Sequence, residues 1–154
     1  MASQLLPTTE DIRTVVIEEM SAAGGTELDC FDDGRRLFLR TVLATRRKLL
    51  RPRDKVQGGV AVMAAGPQIR VHPYTFREVC RNGAIMAEAI QTRLVQRVPS
   101  DAPEEAVEQV VYGLREAVRT CASPEAFAEA AGPYYRLCTG DMSLVGPRDR
   151  KSVV

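Results

Sequence analysis

The chain has 154 residues, 45% of them hydrophobic and 27% charged, with 21 basic and 20 acidic side chains and a net charge of +1. That length supports one domain with a sizeable core, and the composition excludes wholesale disorder. No apolar run approaches the roughly 18 residues a spanning helix needs, and Met1 to Pro7 lacks the basic start and long apolar stretch of a leader, so a membrane partner is not expected.

The first predicted element is a helix from about Thr8 to Ala22. Thr8 is placed as N-cap with Asp11 in capping-box position, and Ile12, Val15, Val16 and Met20 fall on one face before Gly24-Gly25 ends it. Leu28 to Gly34 reads as turn-rich. Residues 35–44 then alternate with period two, Leu37, Leu39, Thr41 and Leu43 on one side and Arg36, Phe38, Arg40 and Val42 on the other, which is the pattern of a half-buried strand. A second strand is expected from Val56 to Ala64 and a third from Gln68 to Val71, turning at Gly66-Pro67. The three make an antiparallel meander.

From Pro73 the apolar residues Phe76, Val79, Cys80, Gly83, Ala87, Ile90, Leu94 and Val98 recur at three- and four-residue steps, which predicts one long helix with a weak point at Asn82-Gly83. Asp101 is expected to cap a further helix whose stripe is Val107, Val110, Val111, Leu114, Val118 and Cys121, with Glu104 in capping-box position. Ser123-Pro124 starts another, interrupted at Gly132-Pro133 and resumed for a turn from Tyr134 to Cys138. The expected fold class is therefore α+β: an N-terminal helix, a three-stranded antiparallel meander, then three to four helices on one sheet face. No internal repeat is visible.

The last six residues, Asp149 to Val154, match the translation of a common sequencing-adapter read, GAT CGG AAG AGC GTC GTG, whose next codon is a stop. They read as a non-native tail on a single domain of residues 1–148 that is truncated at its C-terminus.

Cys30, Cys80, Cys121 and Cys138 have no Cys-x-x-Cys spacing, and His72 is the only histidine. These are read as four buried thiols in a reducing, cytoplasmic setting, with no metal or other cofactor expected. His72 could serve as a general base, but no nucleophile is placed beside it and a structural role is favoured. Glu78 and Glu88 are ten residues apart on the expected helix, about 15 Å along its axis and too far to act as a carboxylate pair. Neither GxxxxGK[ST] nor GxGxxG occurs, which argues against those modes of nucleotide binding.

Charge is the more informative signal. Residues 1–34 hold eight acids and one base, residues 35–100 fourteen bases and three acids, and residues 101–154 nine acids and six bases. Arg46, Arg47, Lys48, Arg51, Arg53 and Lys55 cluster with only Asp54 opposing, in the expected connection between the first two strands. With Arg36 and Arg40 on the outward side of the first strand, they form a candidate nucleic-acid surface, because clustered cations release counterions from a phosphate backbone. Phe38, Tyr74 and Phe76 lie nearby, where each is more often core than a stacking platform. The alternative is a non-enzymatic interaction or assembly module, in which the same cations meet acidic helices such as the one bearing Glu104, Glu105 and Glu108. The implied partners are DNA or RNA, an acidic protein surface, or a second copy of the chain in a homo-oligomer.

Val60 to Met63, Ile69 to Arg77 and Val79 to Gly83 together resemble the core of the phage/plasmid-like proteins classed as domain of unknown function 932, in which a strand pair leads into an Arg-x-x-Cys-x-Asn-Gly element and a helix. Arg77, Cys80, Asn82 and Gly83 occupy those positions, and the similarity spans about residues 35–98. The resemblance implies association with mobile elements, a longer natural chain and no established chemistry. The order of three strands, a basic hairpin and a helix also resembles single-strand annealing recombinases, which bind DNA along a positive groove.

Overall fold

The computed structural model describes residues 4–43, 47–51, 54–77, 85–87 and 92–129. Strand β1 (Leu5–Leu6) leads into helix α1 (Thr9–Ala22). There follow β2 (Gly25–Asp32), β3 (Arg36–Leu43), β4 (Arg47–Arg51), β5 (Asp54–Ala65), β6 (Gln68–Arg77), β7 (Ile85–Ala87), β8 (Arg93–Gln96), β9 (Val98–Pro99) and helix α2 (Glu104–Cys121). Residues 124–129 are also helical. The fold is mixed α+β. Its main sheet runs β2-β3-β5-β6-β7, all antiparallel, with β4 on β5 and β8 on β6, while β1 and β9 pair separately.

Local chemistry explains most elements. Thr8 Oγ1 accepts from the Asp11 N–H at 3.1 Å, and Asp11 Oδ2 accepts from the Thr8 N–H at 3.3 Å, completing the capping box. The apolar face of α1 (Ile12, Val15, Val16, Met20) packs with Leu37, Leu39 and Leu43 of β3, Val60 and Val62 of β5, and Ile69 and Val71 of β6. Val110, Leu114, Val118 and Cys121 of α2 join the same cluster, so both helices lie on one sheet face. The turn at Gly66, with φ +57°, joins β5 to β6.

Several expectations need correction. The three-stranded meander is part of a seven-stranded sheet. The stretch read as turns, Leu28 to Gly34, is largely β2, an edge strand whose side chains are mostly exposed and whose register shifts between Glu27 and Asp29; neither feature leaves a clean apolar alternation. The true turn is shorter. Asp33 Oδ1 accepts from the N–H groups of Arg35 and Arg36 at 2.9 and 2.7 Å, and Gly34 takes φ +85°. The helix expected from Pro73 to Val98 is absent from the described residues, where β6 continues to Arg77 and β7, β8 and β9 follow. Pro73 is tolerated because its partner Val60 sends its own N–H toward Thr41. The nitrogen of Pro73 thus faces the gap between β8, which pairs with residues 68–71, and β7, which pairs with residues 74–76. Asp101 does not cap α2; the N-cap is Pro103, with no side-chain bond, and Glu104 and Glu105 in the first turn face the helix dipole. Ser123 does cap the helical residues 124–129, its Oγ accepting from the Ala126 N–H at 3.1 Å. Residues 130–154, which include Gly132-Pro133, Tyr134 to Cys138 and the adapter-like end, lie outside the described residues.

One junction sets the sheet's outline. β3 pairs with Ala61 to Ala65 of β5, β4 pairs with Asp54 to Gln57, and the change of partner falls between. There the fully buried Thr41 hydroxyl donates to the Val60 carbonyl at 2.9 Å and accepts from the Val60 N–H at 3.3 Å. The Tyr74 hydroxyl donates to the Thr41 carbonyl at 2.7 Å across Gly59, where a Cβ would stand 1.9 Å from that carbonyl oxygen. Only glycine fits. Thr41→Val keeps the shape but leaves both Val60 groups buried and unpaired, so it should cost about 3 kcal/mol in urea denaturation, against about 1 kcal/mol for Thr41→Ser. A Thr41→Val protein as stable as wild type would refute this account of the junction.

Candidate nucleic-acid interface

Leu37 and Leu39 are buried under the helices, so the residues between and beside them point to the opposite face. Across that open face the register aligns Phe31, Phe38, Met63, Arg70 and Leu94 in one row over β2, β3, β5, β6 and β8. Phe31, Met63 and Leu94 are 54%, 40% and 61% exposed, a concentration of apolar surface unusual for a solvent-facing sheet. A parallel row holds Asp29, Arg40, Ala61 and His72, and another Arg36, Ala65, Gln68 and Gln96.

The expected site residues divide between this face and the β4–β5 hairpin. Arg36 opens β3 and is largely exposed, 3.9 Å from Asp33. Arg40 is committed elsewhere: it forms a two-pronged ion pair with Asp29, its Nε donating at 2.8 Å, and its guanidinium lies 6.0 Å from the Phe38 ring centre. Arg47, Lys48 and Arg51 belong to β4 and Lys55 to β5, so the segment expected as a loop is a hairpin strand. Arg46 and Arg53 lie outside the described residues, as do Cys80, Asn82 and Gly83 of the family-like motif. Arg77 ends β6 opposite Val56. Tyr74 is buried at the Thr41 junction and offers no platform, whereas Phe38 is half-buried on the open face.

Phe31, Met63, Arg70 and Leu94 were not singled out from sequence. Their only signal is cross-strand register, which spacing along the chain does not reveal. Arg70 has no acidic partner among the described residues, and neither has Arg35 or Arg93.

The acids of α1 are not spent on these cations. Glu18 and Glu19 bind Arg115, and Glu19 also binds Arg119 at 2.8 Å, so the ion pairs run from α1 to α2 on the far side of the sheet. Arg13 binds Glu27 of β2. Hydrogen bonds from Arg119, then from Arg115, hold the Glu19 carboxyl below its usual range against the opposing effect of burial.

Among the described residues, the groups suited to covalent chemistry are quiet. Burial pushes the Cys121 thiol up to about 11 and raises Cys30, so both stay protonated at neutral pH. His72 lies inside β6 rather than at a strand-to-helix junction, opposite Ala61, with Nδ1 3.3 Å from the Pro73 carbonyl. Among the described residues no three His, Cys, Asp or Glu side chains gather as metal ligands. No helix there is long and apolar enough to cross a membrane. Comparisons with known protein families, curated proteins and solved structures found no match to this chain.

The Glu19 cluster gives a test of the charge arrangement. A carboxylate held below its ordinary value contributes stability above the unfolded-state pKa of 4.5, and that stability is lost as pH falls through the folded value. Glu19→Gln should therefore destabilise the protein at neutral pH, and its denaturation midpoint should approach wild type as pH falls below 4.5 and through the lowered folded value. A gap that stays constant across that range would mean the ion pairs contribute nothing.

Proposed function

We propose that this domain binds nucleic acid along the open sheet face, with the β4–β5 hairpin extending the contact. The observation that carries the reading is the cross-strand row of Phe31, Phe38 and Met63 beside Arg70, which has no acid partner among the described residues; Met63 lies on β5, the strand that carries Lys55 toward its other end. Exposed rings stack on unpaired bases, and unpaired guanidinium groups take phosphates. From Lys55 to Met63 the strand spans about 27 Å, a length suited to several nucleotides. The aromatic component favours single strands, whose bases are free to splay. The phage/plasmid resemblance, which rests on Arg77, Cys80, Asn82 and Gly83, points toward DNA as the natural partner.

Fluorescence anisotropy with labelled single- and double-stranded oligonucleotides should show binding that weakens steeply between roughly 50 and 200 mM salt. Charge reversal at Arg47 and Arg51 should reduce it at least about a hundredfold, as several phosphate contacts are lost. Phe31→Ala should weaken single-strand binding about tenfold while barely changing duplex binding or stability, because the ring is half exposed in the free protein. Absence of binding at the lower salt would defeat the reading and leave an assembly module, with the exposed row and basic hairpin meeting an acidic protein surface.

A further inference from the structure

Arg97 follows β8 and is only 7% exposed. Its Nε donates to the Pro7 carbonyl at 3.0 Å, Nη1 to the Gly66 carbonyl at 3.0 Å and Nη2 to the Leu5 carbonyl at 3.3 Å. The side chain thus ties the β1 segment to the β5–β6 turn. None of these partners is a carboxylate, and no acid pairs with it among the described residues. Carbonyl dipoles satisfy hydrogen bonds but do not cancel a charge, so the cation is held in a poorly solvated place without a counterion. Burial accordingly lowers the affinity of Arg97 for its proton.

Three of its five N–H groups are used, and two donors remain. Arg97 lines a cleft of about 850 Å³, together with Arg35 and Arg36 from the β2–β3 turn and with Gln4 and Thr8. Asp33 is the acid on the wall, and its carboxylate is already occupied by the backbone N–H groups of Arg35 and Arg36. Three guanidinium groups against one engaged carboxylate leave a positive excess in a concave, partly desolvated place. Arg35 is exposed and has no ion pair among the described residues, so it is free to close on a ligand. The capping box of α1 already takes the N–H groups of Thr8 and Asp11, and the guanidinium groups alone define the site.

We propose that this cleft binds a phosphate group, with Arg97 as the fixed buried cation and Arg35 and Arg36 as the rim that closes on it. Guanidinium forks match phosphate oxygens in pairs, and the cleft volume falls in the range of small-molecule sites, which leaves room for the group esterified to the phosphate. The site stands apart from the β4–β5 hairpin and does not rest on the nucleic-acid reading. The same phosphate chemistry could come from a free phosphate ester or from the phosphorylated end of a strand.

The test is a set of calorimetric and thermal-shift titrations at constant ionic strength, with chloride as the balancing anion. The probes are inorganic phosphate, a small sugar phosphate, and one short oligonucleotide with and without a 5′-phosphate. Inorganic phosphate should raise the melting temperature of the wild-type protein above the chloride control. Arg35→Ala should weaken phosphate binding about tenfold without loss of fold, since the turn is held by backbone bonds rather than by that side chain. Charge reversal at Arg47 and Arg51 should leave phosphate binding intact, so loss of oligonucleotide binding and loss of the phosphate site are separately visible. An Arg35-dependent preference for the phosphorylated oligonucleotide identifies a strand end as the source, and the same dependence confined to the sugar phosphate identifies a small ester. No phosphate-specific shift in wild type, or equal binding by Arg35→Ala, overturns the proposal.

Discussion

The sheet depends on how β5 changes partner. A strand of twelve residues offers one edge to β3 over its second half and to β4 over its first, and a ladder cannot pass from one neighbour to the next without leaving backbone groups unpaired. Thr41 supplies the missing donor and acceptor from a single hydroxyl, and the absence of a side chain at Gly59 lets the Thr41 carbonyl approach and meet the Tyr74 hydroxyl. Three residue types thereby perform three separate tasks within one buried volume. Without that exchange β3 would stay paired along β5, and the edge that carries Arg47, Lys48 and Arg51 would have no place to form.

The same geometry sorts the charges. Helices α1 and α2 share the core face, where Glu18 and Glu19 find Arg115 and Arg119 across the helix pair. Of the acids in the first third, Glu18 and Glu19 are engaged within the helical layer, whereas Glu27 of β2 meets Arg13 of α1, Asp29 meets Arg40 of β3 and Asp33 lies 3.9 Å from Arg36. The basic middle third forms the strands of the main sheet other than β2. Because strands alternate, its apolar residues divide between the core and the open face, and the cations between them remain outside. Net charge close to neutral thus conceals an uneven distribution, with an acidic edge strand β2 beside strands drawn from the basic middle third.

Elements with strong local signals were legible in the sequence. The Thr8 capping box, the period-two pattern from Leu37 to Leu43, the turn at Gly66-Pro67 and the stripe Val110, Leu114, Val118 and Cys121 each stand in the structure as the chain suggests. The failures share a cause. β2 is an edge strand, so its exposed side chains carry little periodicity, and Asp and Gly near its end outweigh it as turn signals. Between Pro73 and Val98 the described members of the three- and four-residue pattern, Phe76, Ala87, Leu94 and Val98, fall on four different strands, β6, β7, β8 and β9, while Val79, Cys80, Gly83 and Ile90 lie outside the described residues. Pro73 reinforced the error, since a proline at a helix start and one at a gap in a ladder look alike from sequence. Of the candidate site, the basic cluster was legible as composition, but its division into a hairpin and an open face depends on register. So does the row from Phe31 to Leu94.

The described thiols are protonated by burial, and Tyr74, whose phenol is also pushed up by burial, is occupied with the Thr41 carbonyl. His72 faces Ala61 across the ladder rather than a nucleophile. On the open sheet face the described fold presents Phe31, Met63 and Leu94, with Arg70 between the last two. Phe31, Met63 and Leu94 would be costly to leave in water on an isolated sheet face, and Arg70 between Met63 and Leu94 would disfavour a simple apolar seal. The proposed nucleic-acid partner would meet both, with bases against the Phe31 ring and phosphates against Arg70.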